Sequence, residues 1–170
     1  GHSMGSSIAY QLARDQPERA ERLVLLGWGP LHPTSPAARE RVVKLYTYVQ
    51  SLEETMDPAF VRSWITSNTV NPLPEAYLEA RVTDSLKVPL VTWQQMLASR
   101  LAAAAAPTRD PIQVKTLVLY GDRDVYVREG RQILAAEIPQ ARVITYPGTG
   151  HALHWDQPQQ FMADLQAFLT

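Results

Sequence analysis

The sequence contains no cysteine. Disulfides and thiolate metal sites are thereby excluded. It also lacks an excess of charge: 16 basic and 17 acidic residues leave a formal net charge of −1. Nothing in that balance suits the phosphates of a nucleic acid, and no polybasic patch marks a membrane surface. No apolar run approaches the roughly 20 residues that cross a bilayer. No signal peptide is visible, but the chain opens on Gly1 rather than Met, so an upstream segment is expected. The compartment stays open, with the cytoplasm favoured, and the oligomeric state stays open too.

What remains is a chain of 170 residues, 45% of them hydrophobic. That length suits one domain around one core. Met4, Ile8 and Leu12, with Ala9 and Ala13 beside them, place an apolar stripe on a helix from Ser3 to Gln16, which Pro17 closes. Arg22 to Leu26 is a short apolar run ended by Gly27, as expected of a strand buried on both faces. From about Pro30 to Pro107 the pattern is helical and broken by prolines. Val42, Leu45, Tyr46 and Val49 follow helical spacing. Asp57-Pro58 reads as a capped helix start, Asn71-Pro72-Leu73-Pro74 as a break, and Val88-Pro89 as the entry to another helix through Trp93, Met96, Leu97 and Leu101. The alanine run Ala102 to Ala106 ends that helix. Strand patterns return at Thr116–Gly121 and at Ala141–Tyr146. A helix from Arg128 to Glu137 lies between them, and an amphipathic helix carrying Phe161, Leu165, Phe168 and Leu169 closes the chain. Strands alternating with helices predict an α/β fold with a parallel sheet. The expected organisation is core over 1–29, a helical insertion over 30–107, and core again over 108–170. Sites in such sheets form at the carboxyl ends of the strands.

Chemistry-bearing residues fall at those ends. Gly1-His2-Ser3-Met4-Gly5 is a G-x-S-x-G match. A nucleophilic serine on a strained strand-to-helix turn needs small residues on either side of it, because bulk there would clash. The helix N-terminus then faces the reacting centre, and the Met4 N–H can donate to an oxyanion. Asp122 and Asp124 follow the second strand, and aspartates in turns often bond only local backbone. His151 follows the third strand behind Gly148-Thr149-Gly150, a tight loop that would present it, and His154 competes with it three residues on. A serine hydroxyl needs a base, and that base needs a carboxylate to fix its tautomer. His2 is expected to pack beneath the serine, and His32 has no assignable role.

Together, Gly1-His2-Ser3-Met4-Gly5-Ser6, Pro17 to Leu25, Thr116 to Asp124 and Gly148 to His151 make the chain resemble the α/β-hydrolase superfamily from end to end. The resemblance implies the α/β-hydrolase fold, in part, with the helical stretch as its cap. It implies Ser3 as nucleophile, His151 as base and Asp124, rather than Asp122, as acid. The expected function is hydrolysis of an ester-like small-molecule substrate through an acyl-enzyme, with no metal and no organic cofactor. The alternatives are a low-turnover ligand-sensing homologue, or a C–C hydrolase or perhydrolase on the same three residues. Trp64, Trp93 and Met96 of the cap, Trp28 beyond the first strand, and Val125 beside the acid are candidates for lining the substrate pocket. Packing of the cap is an equal reading for the cap residues. Ser6 stands where many relatives have glycine, and Val125 where many have proline. A serine nucleophile argues against haloalkane dehalogenases and epoxide hydrolases, which use aspartate.

The family also carries strands before the elbow, one of them followed by the loop giving the second oxyanion donor. Without them, the first strand is expected near an unprotected sheet edge and the strained turn unbraced. The 170 residues alone are then expected to fold poorly and hydrolyse little.

Overall fold

A computed structural model describes residues 1–103, 110–127 and 130–170. Its elements run α1 (Met4–Asp15), a 3₁₀ turn (Pro17–Arg19), β1 (Arg22–Leu26), α2 (Pro36–Gln50), α3 (Pro58–Ser67), α4 (Glu75–Leu86), α5 (Leu90–Ala102), β2 (Lys115–Gly121), α6 (Gly130–Glu137), β3 (Arg142–Tyr146), α7 (Leu153–Asp156) and α8 (Pro158–Leu169). Ala104 to Ala106, in the alanine run, and Arg128, where the helix before β3 was expected to start, lie outside the described residues.

The three strands pair in parallel in the order β1-β2-β3. Leu25 lies opposite Val118, and Val118 opposite Val143. Alternation along the strands sorts their side chains onto two faces. Leu23, Leu25, Val118 and Tyr120 join Tyr10 and Ala13 of α1 and Leu134 of α6 in one buried cluster. Leu26, Leu117 and Leu119 join Leu153 of α7 and Phe168 of α8 in the other. Helices thus cover both faces, which explains why the runs in β1 and β2 are almost continuously apolar. β3 lies at the end of the sheet and leaves Val143 exposed.

One expectation, an unbraced turn, is corrected, and α1 turns a face other than its apolar stripe to the core. The stripe Met4, Ile8, Leu12 is exposed at 47%, 58% and 43%. The buried residues of α1 are instead Ser6, Ser7, Tyr10 and Ala13. Small residues let the helix approach the sheet closely, and each serine satisfies its own hydroxyl: Ser6 Oγ donates to the Ser3 carbonyl (2.5 Å) and Ser7 Oγ to the Gly29 carbonyl (2.7 Å). The turn, for its part, is braced. The Leu26 N–H donates to the Gly1 carbonyl and the Ser3 N–H to the Leu26 carbonyl, both at 2.9 Å. His2 thereby pairs in parallel with the end of β1.

The chain divides into two compact units. The first holds the described residues of Gly1–Pro30, Asn68–Asn71 and Pro107–Thr170, and the second those of Leu31–Ser67 and Pro72–Ala106. In the second, α2 packs on α5 and α3 on α4, and Val49, Met56, Val61 and Leu97 are buried. Its helix starts follow local chemistry. Ser35 accepts the Ala38 N–H ahead of Pro36, and the Asp57 carboxylate accepts the Ala59 N–H at 2.9 Å ahead of Pro58. Among the described residues no helix is long and apolar enough to cross a membrane.

Candidate active site

Ser3 sits between the pairing of Gly1-His2 with β1 and the first turn of α1. Its φ of 51° and ψ of −122° make it the one non-glycine residue with positive φ among those described. Such a conformation costs about 1–3 kcal/mol and persists only where the surroundings impose it. Here the imposing contacts are the two hydrogen bonds to Leu26 and the close passage of Gly1 over α1. A Cβ on Gly1 would lie 2.2 Å from the Gly5 carbonyl oxygen, whereas one on Gly5 would meet nothing within 4 Å. Apart from the backbone of α1 itself, the expected crowding is found on the Gly1 side among the described residues.

The turn directs Ser3 Oγ at His151, 2.8 Å from Nε2. His151 Nδ1 lies 2.7 Å from Asp124 Oδ2. The other carboxylate oxygen accepts the Tyr126 N–H at 2.9 Å. Asp124 and His151 are buried, at 2% and 8% exposure. Asp122 is exposed and accepts the Thr149 N–H instead. The two aspartates of one turn therefore have different partners, and the one that touches imidazole is Asp124. With Asp124 as acceptor, the neutral imidazole carries its proton on Nδ1, leaving Nε2 to accept from the serine. Met4 opens α1, and its N–H has no acceptor among the described residues. It is free to donate beside Ser3 Oγ.

A second histidine belongs to this cluster. His2 Nε2 lies 3.0 Å from the His151 carbonyl oxygen, to which it donates, and its ring stands 4.9 Å from that of His151 and 4.7 Å from that of His154. Burial, and then the neighbouring imidazoles, lower the pKa of His2 to about 4. Burial, and then His151, lower that of His154 to about 4. Both are neutral at pH 7 and are weaker bases than an ordinary imidazole.

The pocket candidates are placed differently. Trp28 is 2% exposed and packs on Tyr10 inside the sheet–helix core. As a correction, it is packed into the core among the described residues. Val125 is exposed beside Asp124. Trp64 and Trp93 meet edge to face in the second unit, 4.9 Å between centroids, with Trp93 buried and Trp64 and Met96 half-buried. Three residues in the first unit escaped the reading of the sequence. Tyr126 lays a half-exposed ring 5.1 Å from that of His151. Gly27, at positive φ, borders the imidazole, and Asp156 binds backbone around it. Among the described residues no group of His, Asp and Glu could hold a metal ion.

A model of the alpha/beta hydrolase family matches residues 1–165. The chain belongs to this family. Among curated alpha/beta hydrolase relatives, it is 28% identical over 187 aligned positions to the sn-1-specific diacylglycerol lipase ABHD11 of Mus musculus, covering 100% of this chain and 58% of that one. It is 29% identical over 178 positions to the 2-hydroxy-6-oxo-6-phenylhexa-2,4-dienoate hydrolase of Burkholderia cepacia, covering 95% of this chain and 58% of that one. The solved structure of an esterase (EaEST) from Exiguobacterium antarcticum superposes with a TM-score of 0.84 at 20% identity, over 99% of this chain and 64% of the esterase. At that identity the likeness concerns the alpha/beta hydrolase fold alone. The chain spans less than two thirds of the length of each of these proteins.

Proposed function

We propose that this protein is a serine hydrolase that cleaves an ester-like bond of a small molecule through an acyl-enzyme. One observation carries the reading: Ser3, His151 and Asp124 form an unbroken chain of hydrogen bonds of 2.8 and 2.7 Å. As Ser3 Oγ attacks a carbonyl carbon, its proton passes to His151 Nε2. The imidazolium is held and stabilised by Asp124 through Nδ1–H. The carbonyl oxygen becomes an oxyanion beside the Met4 N–H, a donor of the kind worth about 10²–10³ in rate. Collapse returns the proton from Nε2 to the leaving oxygen and leaves an acyl-serine. Water, deprotonated by the same nitrogen, then releases the acid. The 28% identity to a diacylglycerol lipase supports a carboxylic ester as substrate class. The test is hydrolysis of p-nitrophenyl esters by the full-length protein and by Ser3→Ala. Activity is expected to fall to background in the variant, and turnover at the parental rate in Ser3→Ala would rule the mechanism out.

A second reading, cleavage of a carbon–carbon bond on the same residues, draws on the 29% identity to a dienoate hydrolase. Offered both a p-nitrophenyl ester and that dienoate, the protein is expected to turn over the ester faster. The reverse order favours the second reading.

A further inference from the structure

The backbone around His151 is held by an element that takes no part in the chemistry. Asp156 ends the short helix α7, and its carboxylate accepts backbone N–H groups from two separate segments. Oδ1 takes those of Val70 (3.0 Å) and Asn71 (2.9 Å), and Oδ2 takes that of Gly150 (2.8 Å), with a longer contact to Val70 (3.2 Å). Gly150 directly precedes His151. Directly after it, the Ala152 N–H donates to the Asn68 carbonyl at 2.8 Å. The His151 carbonyl, between the two, receives His2 Nε2. The peptide groups flanking the imidazole are thus pinned on both sides to residues 68–71. The fit is close, since a Cβ on Gly150 would stand 2.7 Å from the Asn68 carbonyl oxygen.

Residues 68–71 are unusual within the helical insertion. They connect α3 to α4, yet they belong to the first unit, whereas the chain on either side belongs to the second. Beside the backbone bond from Ala152 to Asn68, one carboxylate joins this strap to the histidine loop. A carboxylate accepting several amide N–H groups forms charge-assisted bonds about twice as strong as neutral ones.

We propose that Asp156 is a positioning residue for His151: by clasping the strap 68–71 to the histidine loop, it sets the imidazole between Ser3 and Asp124. The proposal rests on the serine-hydrolase reading above. A base misplaced by a fraction of an ångström to 1 Å costs up to about 10²-fold in rate. Asparagine at this position keeps the shape but offers one acceptor oxygen and turns an NH₂ toward amide donors. Glutamate keeps both oxygens and shifts them by one methylene.

The experiment uses the full-length protein and its Asp156→Asn and Asp156→Glu variants. Active sites are titrated with a fluorophosphonate, and kcat per titrated site and KM are measured on a p-nitrophenyl ester. The expected result is a fall in kcat per site of about 10- to 100-fold in Asp156→Asn and about 3- to 10-fold in Asp156→Glu, with KM changed less than about twofold. If Asp156→Asn does not fold, the threefold or greater loss in Asp156→Glu carries the test. A purely structural role would lower the fraction of titratable sites and leave kcat per site unchanged, and that result overturns the proposal. Absence of titration in the wild type retires the serine-hydrolase reading itself, whereas normal titration with unaltered kcat in the variants retires the role of Asp156 alone.

Discussion

Gly27→Ala separates a backbone cost from a catalytic one. Gly27 follows β1 with φ +54°, and a Cβ there would lie 3.0 Å from both Cε1 and Nδ1 of His151. Two effects follow. An L-residue in the left-handed region costs about 1–2 kcal/mol, which for a chain of this size lowers Tm by roughly 2–8 °C. The imidazole must also retreat by a few tenths of an ångström. It is held at 2.7 Å by Asp124 and 2.8 Å by Ser3, so retreat stretches one bond or both toward the limit of about 3.2 Å. A loss of roughly 10- to 100-fold in kcat is expected. Gly148 supplies the control. It also has positive φ, +70°, but a Cβ there would meet nothing within 4 Å among the described residues. Gly148→Ala is expected to lower Tm by a similar amount and to leave kcat on a p-nitrophenyl ester unchanged. Thermal scans and ester kinetics on the full-length protein read both effects. Wild-type kcat in Gly27→Ala, or equal losses of kcat in the two variants, refutes the reasoning.

Other perturbations reach the same cluster. Asp124→Asn keeps the shape of the acid but favours the wrong imidazole tautomer, and is expected to lower kcat by about 10⁴ with little change in the thermal transition. In acid, His2 and His154, with pKa values of about 4 in the folded state, bind protons more readily when unfolded. Their contribution to stability is complete above about pH 6.5 and is lost as pH falls through about 4. Circular dichroism titration is expected to show destabilisation beginning below pH 6.5 and a shallower loss in His154→Phe, and an unchanged acid slope in that variant contradicts the assignment. Val143, exposed on β3, is expected to tolerate alanine within about 0.5 kcal/mol, whereas Leu119→Ala, at a fully buried position of β2, costs about 2–5 kcal/mol. Urea unfolding measures the difference.

How far the molecule can be read from its residues depends on the range of the interactions involved. β1 and β2 were legible because both faces of each strand are covered, which leaves short apolar runs closed by glycine. The helices of the insertion were legible from prolines and caps, signals that act within a few residues. The buried face of α1 was not. Spacing of four identifies a helix but does not say which side meets the sheet, and the tightly packed side carries Ser6 and Ser7 rather than Met4, Ile8 and Leu12. Ser3, Asp124 and His151 could be nominated because each sits at a strand end in a recognisable turn. The choice between Asp122 and Asp124, two residues apart in one turn, needed the family resemblance, since local sequence does not reveal which carboxylate faces the imidazole. Asp156 was invisible because its partners at Val70 and Asn71 are backbone amides distant in the chain, and any residue except proline would supply them. Trp28 was misjudged because a large aromatic past a strand end suits a pocket and a core equally, and the ring of Tyr10 decides for the core.

The central claim is that Ser3 is the nucleophile. Its most direct test is reaction of the full-length protein with a fluorophosphonate, followed by peptide mapping. The account predicts one phosphonylated serine per chain, at Ser3, with labelling abolished in Ser3→Ala and strongly slowed when His151 is replaced. A label on any other residue, or undiminished labelling of Ser3→Ala, would contradict it.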